Sequence, residues 1–206
     1  MPIIYSKVTS DPAAEPILLA DAKRHLRVDA DDENSLITLY IQVARETVEN
    51  FTNRSLITQE RTAKLDFFPN LILLPNGPVQ TGVTIEYYNE SNVLTTLSTS
   101  EYYEDVSSDV ARLEPVNYWP STYDRPNAVE ITYNAGYGSS GTDVPSPLRH
   151  AMLLIIGHLY ENRQNVIMSG SPTAVLTIPM GAEVLMNPYV LEQSVYYWWG
   201  SRSFRR

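Results

Sequence analysis

Residues 133–163, YNAGYGSSGTDVPSPLRHAMLLIIGHLYENR, constrain the fold more than any other stretch of the chain. They read as the end of a strand, a glycine-rich turn, two prolines that open a helix, and a helix too apolar to lie on a surface. From Leu148 the apolar residues fall at Ala151, Met152, Ile155, Ile156 and Leu159, the spacing of a buried helical face. Leu153, Leu154 and Tyr160 widen that face, and only His150, Gly157 and Glu161 line up as a narrow polar stripe. Such a helix needs other helices to cover it, from its own chain or from a neighbouring copy.

The 206 residues are enough for one large domain or two small ones, and the absence of cysteine excludes disulfide staples and thiolate zinc sites. The N-terminus lacks the basic and apolar pattern of a leader, and the apolar run around 152–156 is far shorter than the ~20 residues a membrane span needs, so a soluble, untargeted protein is expected. A net charge of -9 argues against general nucleic-acid binding, which needs clustered Lys and Arg. It suits a wall along which DNA passes without sticking.

Residues 1–16 read as an N-terminal arm or leading strand interrupted by Pro12 and Pro16. ILLADAKRHLRV follows as a short helix with Asp21 in its first turn, where a carboxylate suits the helix dipole. The acids Asp29, Asp31, Asp32 and Glu33 resemble the start of a calcium loop, but Asn34 stands where that loop needs Gly and Tyr40 where it needs Glu. They are read instead as the N-terminal cap of a long helix over about 33–51. One stripe of this helix holds Leu36, Ile37, Tyr40, Ile41, Val43, Ala44, Val48 and Phe51, and the opposite face holds Thr38, Gln42, Arg45, Glu46 and Glu49.

From Ser55 the period changes to two, with Ile57, Ala63, Leu65 and Phe67 on one side of a strand beside Gln59 and Arg61. Five to seven short strands separated by Gly, Pro and Asn turns fill the span to Tyr133. After the apolar helix, a short strand is expected at Ala174 to Ile178 and a brief helix, MGAEVLMNPYV, stopped by Pro188. The fold class is therefore α+β: a helical bundle in which long N-terminal and C-terminal helices pack together, with an inserted antiparallel β-sandwich-like region. The expected divisions are an arm at 1–16, a helical domain from 17–54 and 142–190, a β domain at 55–141, and an aromatic and basic tail at 191–206.

No motif nominates a reaction. Gly136, Gly138 and Gly141 spell a dinucleotide fingerprint, yet Pro145 and Pro147 separate them from the helix that would have to begin among them, so a turn is expected. His150, His158 and Glu161 make no convincing metal set, and no nucleophile elbow is present. No enzyme activity, cofactor or metal is expected. Tyr196, Tyr197, Trp198 and Trp199, followed by Arg202, Phe204, Arg205 and Arg206, carry residue types enriched at interfaces; the alternative is that these rings close the chain's own core.

Three segments in order, EPILLADAKRHLRVDADDENSLITLYIQVARETVENFTNRSLITQ, VEITYNAGYG with VPSPLRHAMLLIIGHLYENR, and PMGAEVLMNPY, resemble the head-tail connector, or adaptor, proteins of long-tailed bacteriophages and related gene transfer particles. The likeness spans roughly residues 15–190. It implies a structural subunit of a ring, usually dodecameric, at the head-tail junction of a virion that is put together in the host cytoplasm. The ring sits beneath the capsid portal, extends the DNA channel without binding DNA specifically, and receives the next head-completion or tail protein. It implies no catalytic residues and no membrane, with helices packed around the channel and C-terminal segments docked on the portal. Leu18 stands where many relatives have a hydroxyl residue capping the first helix, and the tail after Tyr189 extends past the resemblance. Portal docking by the tail from Tyr196 to Arg206, and channel lining by Glu46 and Glu49 on the polar face of the long helix, are the corresponding expectations. A different class stays open, a β-sandwich carbohydrate-binding or hydrolytic virion protein whose Trp119 and tyrosines stack on sugar rings.

Overall fold

Alternation of apolar and polar residues builds the β unit strand by strand. The computed structural model describes residues 5–163 and 179–191. Within them the strands are β1 (Tyr5–Ser10), β2 (Gln59–Leu65), β3 (Ile72–Leu74), β4 (Thr84–Tyr88), β5 (Leu94–Thr96), β6 (Tyr102–Asp105), β7 (Ala111–Pro115) and β8 (Val129–Ala135). Along β8, Val129, Ile131, Tyr133 and Ala135 are buried while Glu130, Thr132 and Asn134 are less covered, the period of two that one buried face imposes. β8 pairs antiparallel with β2 on one side and β4 on the other, and the sheet runs β1-β2-β8-β4-β5. A second antiparallel sheet runs β3-β7-β6.

One apolar cluster draws Ala63 and Leu65 from β2, Ile72 and Leu74 from β3, Leu113 from β7 and Ile131 from β8, so the two sheets bury a common core. Phe67 does not join it: β2 ends at Leu65, and two residues later the alternation no longer has a ladder to enforce it, leaving Phe67 51% exposed. A hairpin forms from β4 and β5, with the Asn89 side-chain carbonyl accepting from Ser91 N and Val93 N to hold the turn. Tyr133 is buried at the centre, its hydroxyl 2.9 Å from both Ser6 Oγ and the Pro75 carbonyl, and burial pushes its pKa up to about 12.

Gly136 follows β8 at φ +142°, where an L side chain is strained. A Cβ there would lie 2.4 Å from Thr58 N and 2.6 Å from the Ile57 carbonyl oxygen. The close approach is used by the backbone: Tyr137 N donates to the Leu56 carbonyl and Thr58 N to the Gly138 carbonyl. The glycine spacing thus serves a turn against the 56–58 segment.

Among the described residues the helical unit comprises 14–52, 140–163 and 179–190, and the β unit 5–13, 53–139 and 191. Its helices among the described residues are α1 (Leu19–Leu26), α2 (Asn34–Thr52), α3 (Ser146–Glu161) and α4 (Met180–Met186). Leu18 gives α1 no side-chain cap, as its identity requires, and Arg27 ends the helix in the left-handed conformation. Before α2, Asp31 accepts hydrogen bonds from Lys23 Nζ and Asn34 Nδ2.

α2 buries Ile37, Ile41, Ala44 and Val48, and α3 buries Leu148, Ala151, Met152, Ile155 and Ile156. α3 packs against α1, α2 and α4. Its cover is less complete than its composition suggests, because Leu153, Leu154, Leu159 and Tyr160 are only half-buried. α4 turns Ala182 and Met186 inward and is followed by a single 3-10 turn, Asn187–Tyr189, at Pro188. The strand expected at Ala174 to Ile178 lies outside the described residues.

Candidate functional site

Among the described residues of the helical unit, large apolar side chains are exposed on two helices. At 100° per residue, Leu39, Val43 and Glu46 of α2 fall within about 60° of one another, on the side away from Ile37, Ala44 and Val48. Leu39 is 52% and Val43 37% exposed. Val43 therefore leaves the buried stripe to which sequence assigned it; it is one turn from Leu39 and shares that residue's outward face. On α4, Met180 and Val184 repeat the pattern at i and i+4, 79% and 64% exposed, opposite the inward pair Ala182 and Met186. Nothing in the charge pattern marked Leu39, Met180 or Val184; the usable signal was that each is an apolar residue off its helix's buried stripe.

The two acids expected to line a channel are placed differently. Glu49 is held by Arg45, whose guanidinium also binds Glu15 at 2.9 Å, and the Glu49 side chain is only 13% exposed. Glu46 is 64% exposed and lies 3.9 Å from the same arginine. Burial alone would lower the Arg45 pKa, but the charges and hydrogen bonds of Glu49 and Glu15 outweigh it and raise it, so the cation persists. Among the described residues one arginine meets three glutamates in this cluster. The tail residues Tyr196, Tyr197, Trp198, Trp199, Arg202, Phe204, Arg205 and Arg206 lie outside the described residues.

At the start of α2, Glu33 accepts from the Tyr160 hydroxyl and from Arg163 Nη2. The Tyr160 hydrogen bond, then that of Arg163, holds the Glu33 pKa below the usual carboxylate range. In the β unit, Asp109 is lowered by the Arg54 guanidinium, and Asp105 falls to about 2 through hydrogen bonds from Ser107 and Arg112. Groups with depressed folded pKa values contribute stability above their unfolded pKa and lose it as pH falls through the folded value. Thermal unfolding of the chain is accordingly expected to be insensitive to pH between 5 and 7 and to fall between about pH 4 and about pH 2, with Asp105→Asn reducing the slope in that window. Melts across that range check it; an unchanged slope in the variant contradicts the assignment.

Trp119 is not presented as a free platform. Its ring stacks on Phe68 at 4.8 Å and 6°, Phe68 meets Tyr87 edge-on, and Nε1 is buried without a hydrogen-bond partner. One face is thus committed to the protein's own core, which weighs against the sugar-stacking reading. His150, His158 and Glu161 form no metal-binding group, and no such group occurs among the described residues. No described helix is long and apolar enough to cross a membrane.

The family model described as "Phage gp6-like head-tail connector protein" matches residues 16–118, half the chain. The chain belongs to this phage gp6-like head-tail connector family. Its fold is similar to a chain of "Neck of empty GTA particle computed with C6 symmetry", at 21% identity and TM-score 0.73, covering 92% of this chain and 96% of that one. It is similar also to a chain of "Virion of native gene transfer agent (GTA) particle", at 20% identity and TM-score 0.74, covering 91% and 96%. A chain of "Neck of native GTA particle computed with C12 symmetry" matches at 21% identity and TM-score 0.69, covering 93% and 96%. Among curated proteins none matches the chain.

Proposed function

We propose that this chain is a non-enzymatic subunit of a ring at the head-tail junction of a phage or gene-transfer particle. It docks beneath the portal, extends the DNA channel and offers a platform to the next head-completion or tail protein. The observation that carries the reading is the pair of exposed apolar faces, Leu39 with Val43 and Met180 with Val184, in a chain of the connector family. Soluble proteins cover such faces by association. Closed rings form from heterologous contacts, in which two different patches of one subunit meet in successive copies. The twelvefold and sixfold symmetry named for the similar neck structures favours twelve copies here.

In this reading the helical unit, with its expected bounds of 17–54 and 142–190, is the connector domain, and residues 55–141 are the β domain inserted in it. Glu46 is the more available of the two channel-lining candidates, with Glu49 behind it on Arg45. The net charge of -9 keeps DNA moving through the channel without specific binding. The tail from Tyr196 to Arg206 docks on the portal, and the particle is assembled in the host cytoplasm.

The test is mass photometry of the purified chain mixed with the portal protein of the same genome, using the full chain and a version ending at Tyr189. A portal-sized species that gains about twelve copies with the full chain supports the ring, and loss of that gain on truncation assigns docking to the tail. No gain with either version overturns the reading.

A further inference from the structure

The chain carries more acids than bases, 24 against 15, and seven of the twelve described bases have a carboxylate partner, among them Lys23 with Asp31, Arg45 with Glu15 and Glu49, Arg54 with Asp109, Lys64 with Glu130, Arg112 with Asp105 and Arg163 with Glu33. Arg149 differs. Half-buried in the first turn of α3, it makes no ion pair among the described residues, and its Nε is buried with no hydrogen-bond partner. A guanidinium donor in that state has lost its water without gaining an acceptor, which calls for an explanation.

Arg149 lines an open cavity of about 590 Å³ between α1 and α3, together with Arg24, His25, Ser146 and His150. The single acid in the lining is Asp21, which Arg24 already engages at 3.0 Å. The first turn of α3 adds no acid. Two arginines against one aspartate leave the cavity positive in a negative chain, with a serine hydroxyl and two imidazoles as further hydrogen-bonding groups.

We propose that the cavity between α1 and α3 is a carboxylate-binding site, occupied in the assembled particle by an Asp or Glu side chain of the adjacent subunit, with Arg149 as its principal ligand. This rests on the ring reading above. A planar guanidinium suits a carboxylate through paired N–H donors. A neighbouring copy with excess acids is the most concentrated source of carboxylate that a ring subunit meets. DNA phosphate is the poorer fit, because a backbone demands a row of cations along a face, whereas here two arginines share one concavity on a chain of net charge -9.

The test uses the full chain titrated onto its portal by mass photometry, with wild type, Arg149→Glu, Arg149→Lys and Arg24→Glu. Arg24 has a side chain 79% exposed, so its reversal cannot unfold the helical unit. Lys7→Glu, on the exposed face of β1, controls for added negative charge in general. Half-saturation of the portal is expected to need at least tenfold more Arg149→Glu and clearly more Arg24→Glu than wild type, with Arg149→Lys between wild type and Arg149→Glu because it keeps the charge but loses the paired donors, and Lys7→Glu close to wild type. Wild-type assembly is also expected to weaken at high salt. If wild type forms the ring and both α1 and α3 reversals do so at the same concentration, the site is not a subunit contact and the ring stands. If wild type forms no ring at all, the ring reading falls and this inference with it. Duplex DNA retarded by wild type and released by Arg149→Glu, with ring formation unchanged, would replace the carboxylate by a phosphate.

Discussion

A chain carrying Met180→Ser and Val184→Asp is expected to fold like wild type and to fail to assemble on the portal. The two positions are 79% and 64% exposed, while the inward face of α4 is supplied by Ala182 and Met186, which the substitutions leave alone. Exposed replacements of this kind change stability by about 0.5 kcal/mol or less, so melting should move by only a few degrees. At a subunit contact the effect is much larger. Burying a Met and a Val is worth about 1.5–3 kcal/mol each, and the aspartate adds the cost of desolvating a charge. Losing about 3 kcal/mol per contact weakens association more than a hundredfold, and a ring repeats the loss at every junction. Mass photometry with the portal reads assembly, and circular dichroism reads the fold. Full rings at wild-type concentration would remove α4 from the interface and leave Leu39 and Val43 of α2 as the remaining apolar pair.

The helices were legible in sequence because each carries its own period. A helix expected over about 33–51 forms at Asn34–Thr52, and the apolar run after Pro147 forms α3 with the expected inward residues Leu148, Ala151, Met152, Ile155 and Ile156. The β hairpin at Asn89 was legible for the same reason, since its turn chemistry is local. Strand ends were less so: Phe67 continues the alternation on paper, but the ladder that would turn it inward stops at Leu65. The uncovered faces were the least legible, because sequence marks an apolar residue without saying whether a partner element reaches it. Val43 was assigned to the core and Met180 and Val184 to an ordinary short helix for that reason. The charge arrangement depends on packing as well. Arg45 holds Glu49 at 3.1 Å, Glu46 at 3.9 Å and Glu15, thirty residues earlier, at 2.9 Å, a grouping no local sequence window contains. Arg24 and Arg149 share a cavity only once α1 lies against α3.

Gly136→Ala is expected to be the most damaging conservative change in the β unit, and Gly82→Ala separates the two causes. Both glycines have positive φ, +142° and +95°. At Gly82 nothing lies within 4 Å of the added Cβ, so the substitution carries only the conformational penalty, about 1 kcal/mol. At Gly136 the same atom would sit 2.4 Å from Thr58 N and 2.5 Å from Ile57 C, both backbone atoms that cannot rotate aside. Relief requires moving the 56–58 segment away from the turn, which breaks the Tyr137 N to Leu56 and Thr58 N to Gly138 hydrogen bonds at 3.1 and 2.9 Å. It also displaces Leu56 and Ile57, which are almost fully buried. Strain, two backbone hydrogen bonds and disturbed packing together come to about 4 kcal/mol. For a unit of this size that lowers Tm by roughly 16–32 °C, against roughly 4–8 °C for Gly82→Ala. Differential scanning calorimetry of the three proteins measures the gap, and hydrogen exchange should show the amides of Thr58 and Tyr137 losing protection first in Gly136→Ala. Equal melting temperatures for the two variants would mean that backbone conformation alone sets the cost and that the 56–58 segment yields freely.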